Sequence, residues 1–213
     1  MHLSYDQSAA IIRVGRVNVF TIWTPVVIDC EPTGVTRTAT KRTAWTSWAG
    51  VVGFCVGAVC TVKTGLVAAL PSAMGLTVLA ATDMSARRIP KRILAATAMG
   101  TIACGVADSL RQGSAERFTM ALLTAAIVGA IAGATWCVTA GIAFGDVKLL
   151  ALAAFVPAFL RGTAVITMVV VSLLVATAMI VIERIRLGSL ALKSTIPFGP
   201  PLLVGWLVGV WIA

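Results

Sequence analysis

Two aspartates stand where this chain has little reason to keep an acid. Asp83 closes an apolar run in LAATDMSARRIPKRIL, and Asp146 interrupts another in GIAFGDVKLL. The other six acids have ordinary settings. Asp6, Asp29 and Glu31 fall in a polar N-terminal segment, Asp108 and Glu116 in an expected external loop, and Glu183 among arginines at head-group level. If Asp83 and Asp146 converge on one site, mutual repulsion and partial burial raise one pKa, leaving one carboxylate ionised and one protonated. The ionised member can take a proton from water while the protonated one polarises a carbonyl oxygen. That is aspartic-protease chemistry, and it needs neither metal nor covalent intermediate. Each acid also has a plainer reading. Asp146 can serve as the N-cap of the helix that follows it, and Asp83 can cap the turn ahead of the basic loop, held by Arg87 or Arg88.

The elements that must position this pair are membrane helices. The 213 residues are 59% hydrophobic and only 12% charged, with a mean hydropathy of +0.98, whereas soluble globular chains are about 25% charged. No period-two alternation suggests an outer-membrane barrel. The expected fold is therefore all-α, a polytopic transmembrane helical bundle of about 6–7 spans. Apolar runs lie near 44–62, 65–82, 93–107, 119–142, 147–160, 163–182 and 196–213. Against the roughly 20 residues of a full crossing, the third and fifth are short. Residues 1–43 read as a polar, weakly ordered arm without a typical signal peptide, because VNVFTIWTPVVI is broken by Asn, Thr and Pro. Residues 44–213 read as the transmembrane domain. Dense small residues, as in GAIAGATW, suit close helix approach in lipid.

Charge and sulfur narrow the function classes. The net charge of +9 arises from 17 Lys and Arg against 8 Asp and Glu. The basic residues cluster between apolar runs without the aromatic interleaving of a strand-stacking groove, so nucleic acid is not an expected partner. They read instead as topology signals: Arg37, Lys41 and Arg42, then Arg87, Arg88, Lys91 and Arg92, then Arg184, Arg186 and Lys193. With these clusters inside, the N-terminus and both aspartates fall on the cytoplasmic side of a multi-pass plasma-membrane protein. The five cysteines form no C-x-x-C pair, and the single histidine, His2, lies in the polar N-terminus. The expectation is no metal and no cofactor.

Three blocks in this order resemble the type IV prepilin peptidases, a branch of the GxGD membrane aspartyl proteases. They are D-x5-I-P at Asp83, Ile89 and Pro90, F-G-D-V-K-L at 144–149, and I-P-F-G-P at 196–200. The resemblance covers about residues 65–213. It implies that Asp83 and Asp146 are the catalytic pair, acting on water at the cytoplasmic membrane face. The implied substrate and partner is a pilin-like precursor with a short basic leader, cleaved ahead of its hydrophobic helix. Gly145 would admit the peptide backbone closely. Lys148 would favour an ionised carboxylate, or snorkel to head groups. Pro197, Phe198, Gly199 and Pro200 would shape a helix start beside the site, or simply form the turn that begins the last span. Phe144 falls in the same site-shaping set. Two departures are visible: Ala143 stands where the first glycine of G-x-G-D is expected, and Lys91 follows I-P where many members have Asn. The Cys-rich loop and N-methylating region of longer members are not seen, so the likeness is to the short, peptidase-only branch. Three other functions fit the same residues. They are a protease cutting within a membrane helix, a non-cleaving pilus or secretion assembly factor, and a small transporter relaying protons through the two aspartates.

Overall fold

The computed structural model describes residues 39–86, 89–138, 143–187 and 197–213. Among the described residues there are seven α-helices and no strand: α1 (Ala39–Thr64), α2 (Ala69–Ala86), α3 (Lys91–Gln112), α4 (Ala115–Val138), α5 (Phe144–Leu160), α6 (Gly162–Leu187) and α7 (Gly199–Ile212). The N-terminal arm lies outside the described residues up to 38, and α1 already begins at Ala39, ahead of the boundary expected at 44.

Four stretches are long and apolar enough to cross a membrane: Ser47–Thr64, Lys91–Gln112, Ala115–Val138 and Gly162–Ile185. The third apolar run, expected to be short, belongs to a helix of 22 residues. Its polar tail, ADSLRQ, stays helical until Gly113 turns left-handed at φ 61°. There the N–H of Gly113 bonds Leu110 O and that of Ser114 bonds Ser109 O, satisfying the last carbonyls. Asp108 is consequently not in a loop but inside α3, and Glu116 sits in the first turn of α4.

The remaining helices, α2, α5 and α7, have 18, 17 and 14 residues. They are also the buried ones. With Leu76 and Leu79 of α2, Leu149, Phe155 and Val156 of α5, and Leu202 and Trp206 of α7 among their buried side chains, these three helices supply most of one continuous core. The long helices turn apolar side chains outward instead, such as Phe54, Leu123, Ile131, Ile166 and Leu174. Exposed hydroxyls on these faces, including Thr124 and Thr177, donate to the carbonyl four residues back. Such self-satisfaction is what a polar group needs where no water is at hand. The arrangement is that of a multi-pass membrane protein.

Sequence neighbours pair into hairpins, α1 with α2, α4 with α5 and α6 with α7, and the short member of each meets the other two at the centre. Each hairpin is closed across a G-x3-G pair. A Cβ on Gly53 would fall 2.9 Å from Met74 Cα, and one on Gly57 2.9 Å from Leu70 O. Gly129 lies against Ala151 in the second hairpin, with Gly133 facing Val147. In the third, a Cβ on Gly205 would reach 2.4 Å from Met168 O, and one on Gly209 2.8 Å from Ala164 O. In the first and third hairpins these obstacles are backbone, so no rotamer change relieves them. Gly205→Ala should therefore destabilise the detergent-solubilised protein by about 1–3 kcal/mol, the usual penalty of overpacking. Gly50→Ala, which places its Cβ in open space, should change stability by less than about 0.5 kcal/mol. Thermal unfolding of the two variants beside wild type checks both.

Candidate functional site

At one end of the bundle the C-terminus of α2 meets the N-termini of α5 and α7. Asp83 occupies the last full turn of α2 and is only 7% exposed. A buried carboxylate needs a donor, and the start of α7 supplies one. The backbone N–H of Gly199 donates to Asp83 Oδ2 at 2.9 Å. This approach requires glycine, because a Cβ there would stand 2.9 Å from Ala80 Cα and 3.2 Å from Asp83 Oδ2. Asp83 is thus tied to a segment more than a hundred residues away. Arg87 and Arg88, its suggested capping partners, lie outside the described residues.

Asp146 is not the N-cap residue of α5. The N-cap is Ala143, extended at φ −77° and ψ 145°, whose carbonyl receives the N–H of Asp146 at 2.9 Å and of Val147 at 3.4 Å. Asp146 is the third helical residue, from which its carboxylate reaches back to the backbone of Ala143. It precedes the apolar run of α5 and lies outside the four membrane-length stretches. Its pKa is pushed up from 3.8 to about 6, first by burial and then by the negative charge of Asp83, against the lowering effect of the hydrogen bond with Ala143. Asp83 and Asp146 are therefore within electrostatic reach of each other. Ala143 in place of glycine imposes no strain, since any residue adopts its backbone conformation.

The motif residues around the pair fall into two groups. Ile89 and Gly145 touch: a Cβ on Gly145 would lie 3.2 Å from Ile89 Cδ1. Pro90 is the N-cap of α3, and its carbonyl accepts the Leu94 N–H at 3.1 Å. Phe198 is the N-cap of α7 and packs on the core, with Pro197 ahead of it and Pro200 in the first turn. These residues hold the helix ends together. Phe144 and Lys148 point outward, however. Lys148 Nζ lies 4.4 Å from the centroid of the Phe144 ring, which itself stands 5.2 Å from Trp136. Lys148 therefore serves Phe144 and not a carboxylate; among the described residues the ion pair is Arg111 with Asp108. Trp136, at the end of α4, was not among the expected site residues. Its one sequence signal is a tryptophan at the edge of an apolar run, the usual place of an interfacial aromatic.

The far end of the bundle holds an acid of a different kind. Asp108 is 1% exposed, accepts the Ala68 N–H at 2.9 Å, and pairs with Arg111 at 3.5 Å. Arg111 in turn donates to Gly65 O. The two side chains clasp the turn between α1 and α2 and take no part in the site. Among the described residues no group of three His, Cys, Asp or Glu side chains is placed to hold a metal ion.

Comparison with family models, with curated proteins and with solved structures gives no match.

The raised pKa of Asp146 has a consequence for stability. Folded Asp146 binds its proton more tightly than unfolded Asp146, so folding stability falls as pH rises from about 3.8 through about 6. The thermal midpoint of wild type should drop relative to that of Asp146→Asn between pH 4 and pH 7. Parallel melts of the two proteins across that interval measure the difference.

Proposed function

We propose that this protein is a prepilin-type aspartic endopeptidase of the membrane. The observation that carries the reading is the meeting of three separated sequence blocks at one end of the bundle. Asp83 of the first accepts from Gly199 of the third, and Ile89 of the first packs on Gly145 of the second. The negative charge of Asp83 in the first block also helps to raise the pKa of Asp146 in the second. Distant blocks that share no role have no reason to converge on two carboxylates.

In this reading one proton is shared by the pair. The ionised carboxylate removes a proton from a water molecule as its oxygen attacks the scissile carbonyl carbon. The protonated carboxyl donates to the carbonyl oxygen, which carries negative charge in the tetrahedral intermediate. Collapse breaks the C–N bond as a proton passes to the departing amine. The substrate is a pilin-like precursor whose apolar helix lies in the bilayer and whose short basic leader is removed. The flanking bases Arg87, Arg88, Lys91, Arg92, Arg184 and Arg186 favour a cytoplasmic position for this end in the plasma membrane.

Co-expression with a precursor bearing a basic leader ahead of an apolar helix tests the reading on a gel. Wild type should shorten the precursor. Asp83→Asn and Asp146→Asn, inserted at wild-type levels, should each slow cleavage by about a thousandfold or more, because paired catalytic groups fail as a unit. Normal processing by either variant would rule the two-aspartate mechanism out.

A further inference from the structure

The first turn of α7 is short of donors. A helix leaves the N–H groups of its opening residues without intrahelical acceptors, and two or three of them normally converge on a bound carboxylate or phosphate. Here the opening residues are Gly199, Pro200 and Pro201. The prolines have no N–H. The next N–H, of Leu202, is already bonded to Phe198 O at 3.2 Å. Gly199 is left as the single donor of the turn, and it goes to Asp83 Oδ2.

Helix starts favour one proline at the first position, but that preference does not account for two in succession at the second and third. Nor are these surface prolines: Pro201 is fully buried and Pro200 partly so. A turn with ordinary residues at both positions would aim further N–H groups at the same carboxylate and hold both of its oxygens. With prolines there, Asp83 is held through Oδ2 alone.

We infer that Pro200 and Pro201 are positioning residues, which with Gly199 make a single-donor helix start that orients Asp83 through Oδ2 and leaves Oδ1 to water. This rests on the aspartic-peptidase reading, under which Oδ1 is the atom that must meet the nucleophilic water. The side chains of the prolines touch no reacting atom in this scheme; they act by withholding hydrogen bonds. Proline at these positions is then a requirement of the chemistry as well as of the turn.

The test restores the missing donors. Pro200→Ala and Pro201→Ala each return one N–H to the turn. In the precursor-cleavage assay each should lower kcat by about tenfold or more, with KM within about twofold, as expected when a reacting group is misoriented and binding is intact. A purely structural role would instead reduce the amount of folded protein and leave kcat per folded molecule unchanged, which would overturn the inference. A second arm needs no substrate. In glycine-labelled protein in lipid nanodiscs, the Gly199 amide proton should exchange slowly, and its resonance should move both in Asp83→Asn and in Pro200→Ala, where the carboxylate is shared. An amide that exchanges freely, or that ignores both substitutions, overturns the inference even if the precursor is cleaved. Absence of cleavage by wild type, with the amide behaving as expected, removes the peptidase reading and leaves the single-donor turn standing.

Discussion

The structure depends on close approach of helices across small residues. In lipid, apolar burial gives helices no reason to associate, so packing, hydrogen bonds and shape must do it. Three G-x3-G pairs meet that need, one in each hairpin, and bring α1 onto α2, α4 onto α5 and α7 onto α6. Because two of these contacts are with backbone, they fix axial register as well as distance. Register decides whether the end of α2 and the starts of α5 and α7 arrive at one level. A shift of one turn in a hairpin, about 5.4 Å, would part Asp83 from Gly199.

The division between long and short helices follows from the same packing. The four membrane-length helices meet lipid with apolar side chains and satisfy their hydroxyls within their own turns. The shorter α2, α5 and α7 are shielded by them, and their ends need not reach as far as those of the outer helices. Those ends are where polar groups are exchanged: the N–H of Gly199 for a carboxylate oxygen at the site, and the N–H of Ala68 for Asp108 at the far end. Both acids are buried and both accept a backbone donor from another element. What separates them is the neighbouring charge. Asp108 has Arg111 beside it, whereas the charge of Asp83 is felt by another acid, Asp146.

How much was legible in the chain varied with the range of the interaction. Asp83 and Asp146 stood out because each ends or interrupts an apolar run, a purely local pattern. Gly199 was expected to shape a helix start beside the site or to form a turn; its N–H acts on a residue 116 positions earlier, and nothing nearby in sequence announces that bond. Asp108 was misplaced for a related reason. ADSLRQGS has the composition of a loop, and its helical state depends on the Gly113 termination and on burial of the carboxylate under the α1–α2 turn. The resemblance implied that Lys148 favours an ionised carboxylate or snorkels to head groups, yet Asp146 lies two residues away. Residues that close on a helix do not share a face, whereas Phe144, four residues before Lys148, does.

The sequence by itself determined the class of the molecule, the approximate spans and the two carboxylates, since hydropathy and the rarity of acids are properties of single segments. Tertiary structure decided which helices are central, which acid pairs with which donor, and that Ala143 adopts an ordinary extended backbone where glycine was expected. Those outcomes rest on distances between segments far apart in the chain, set by how closely backbones can approach, and composition carries no record of them.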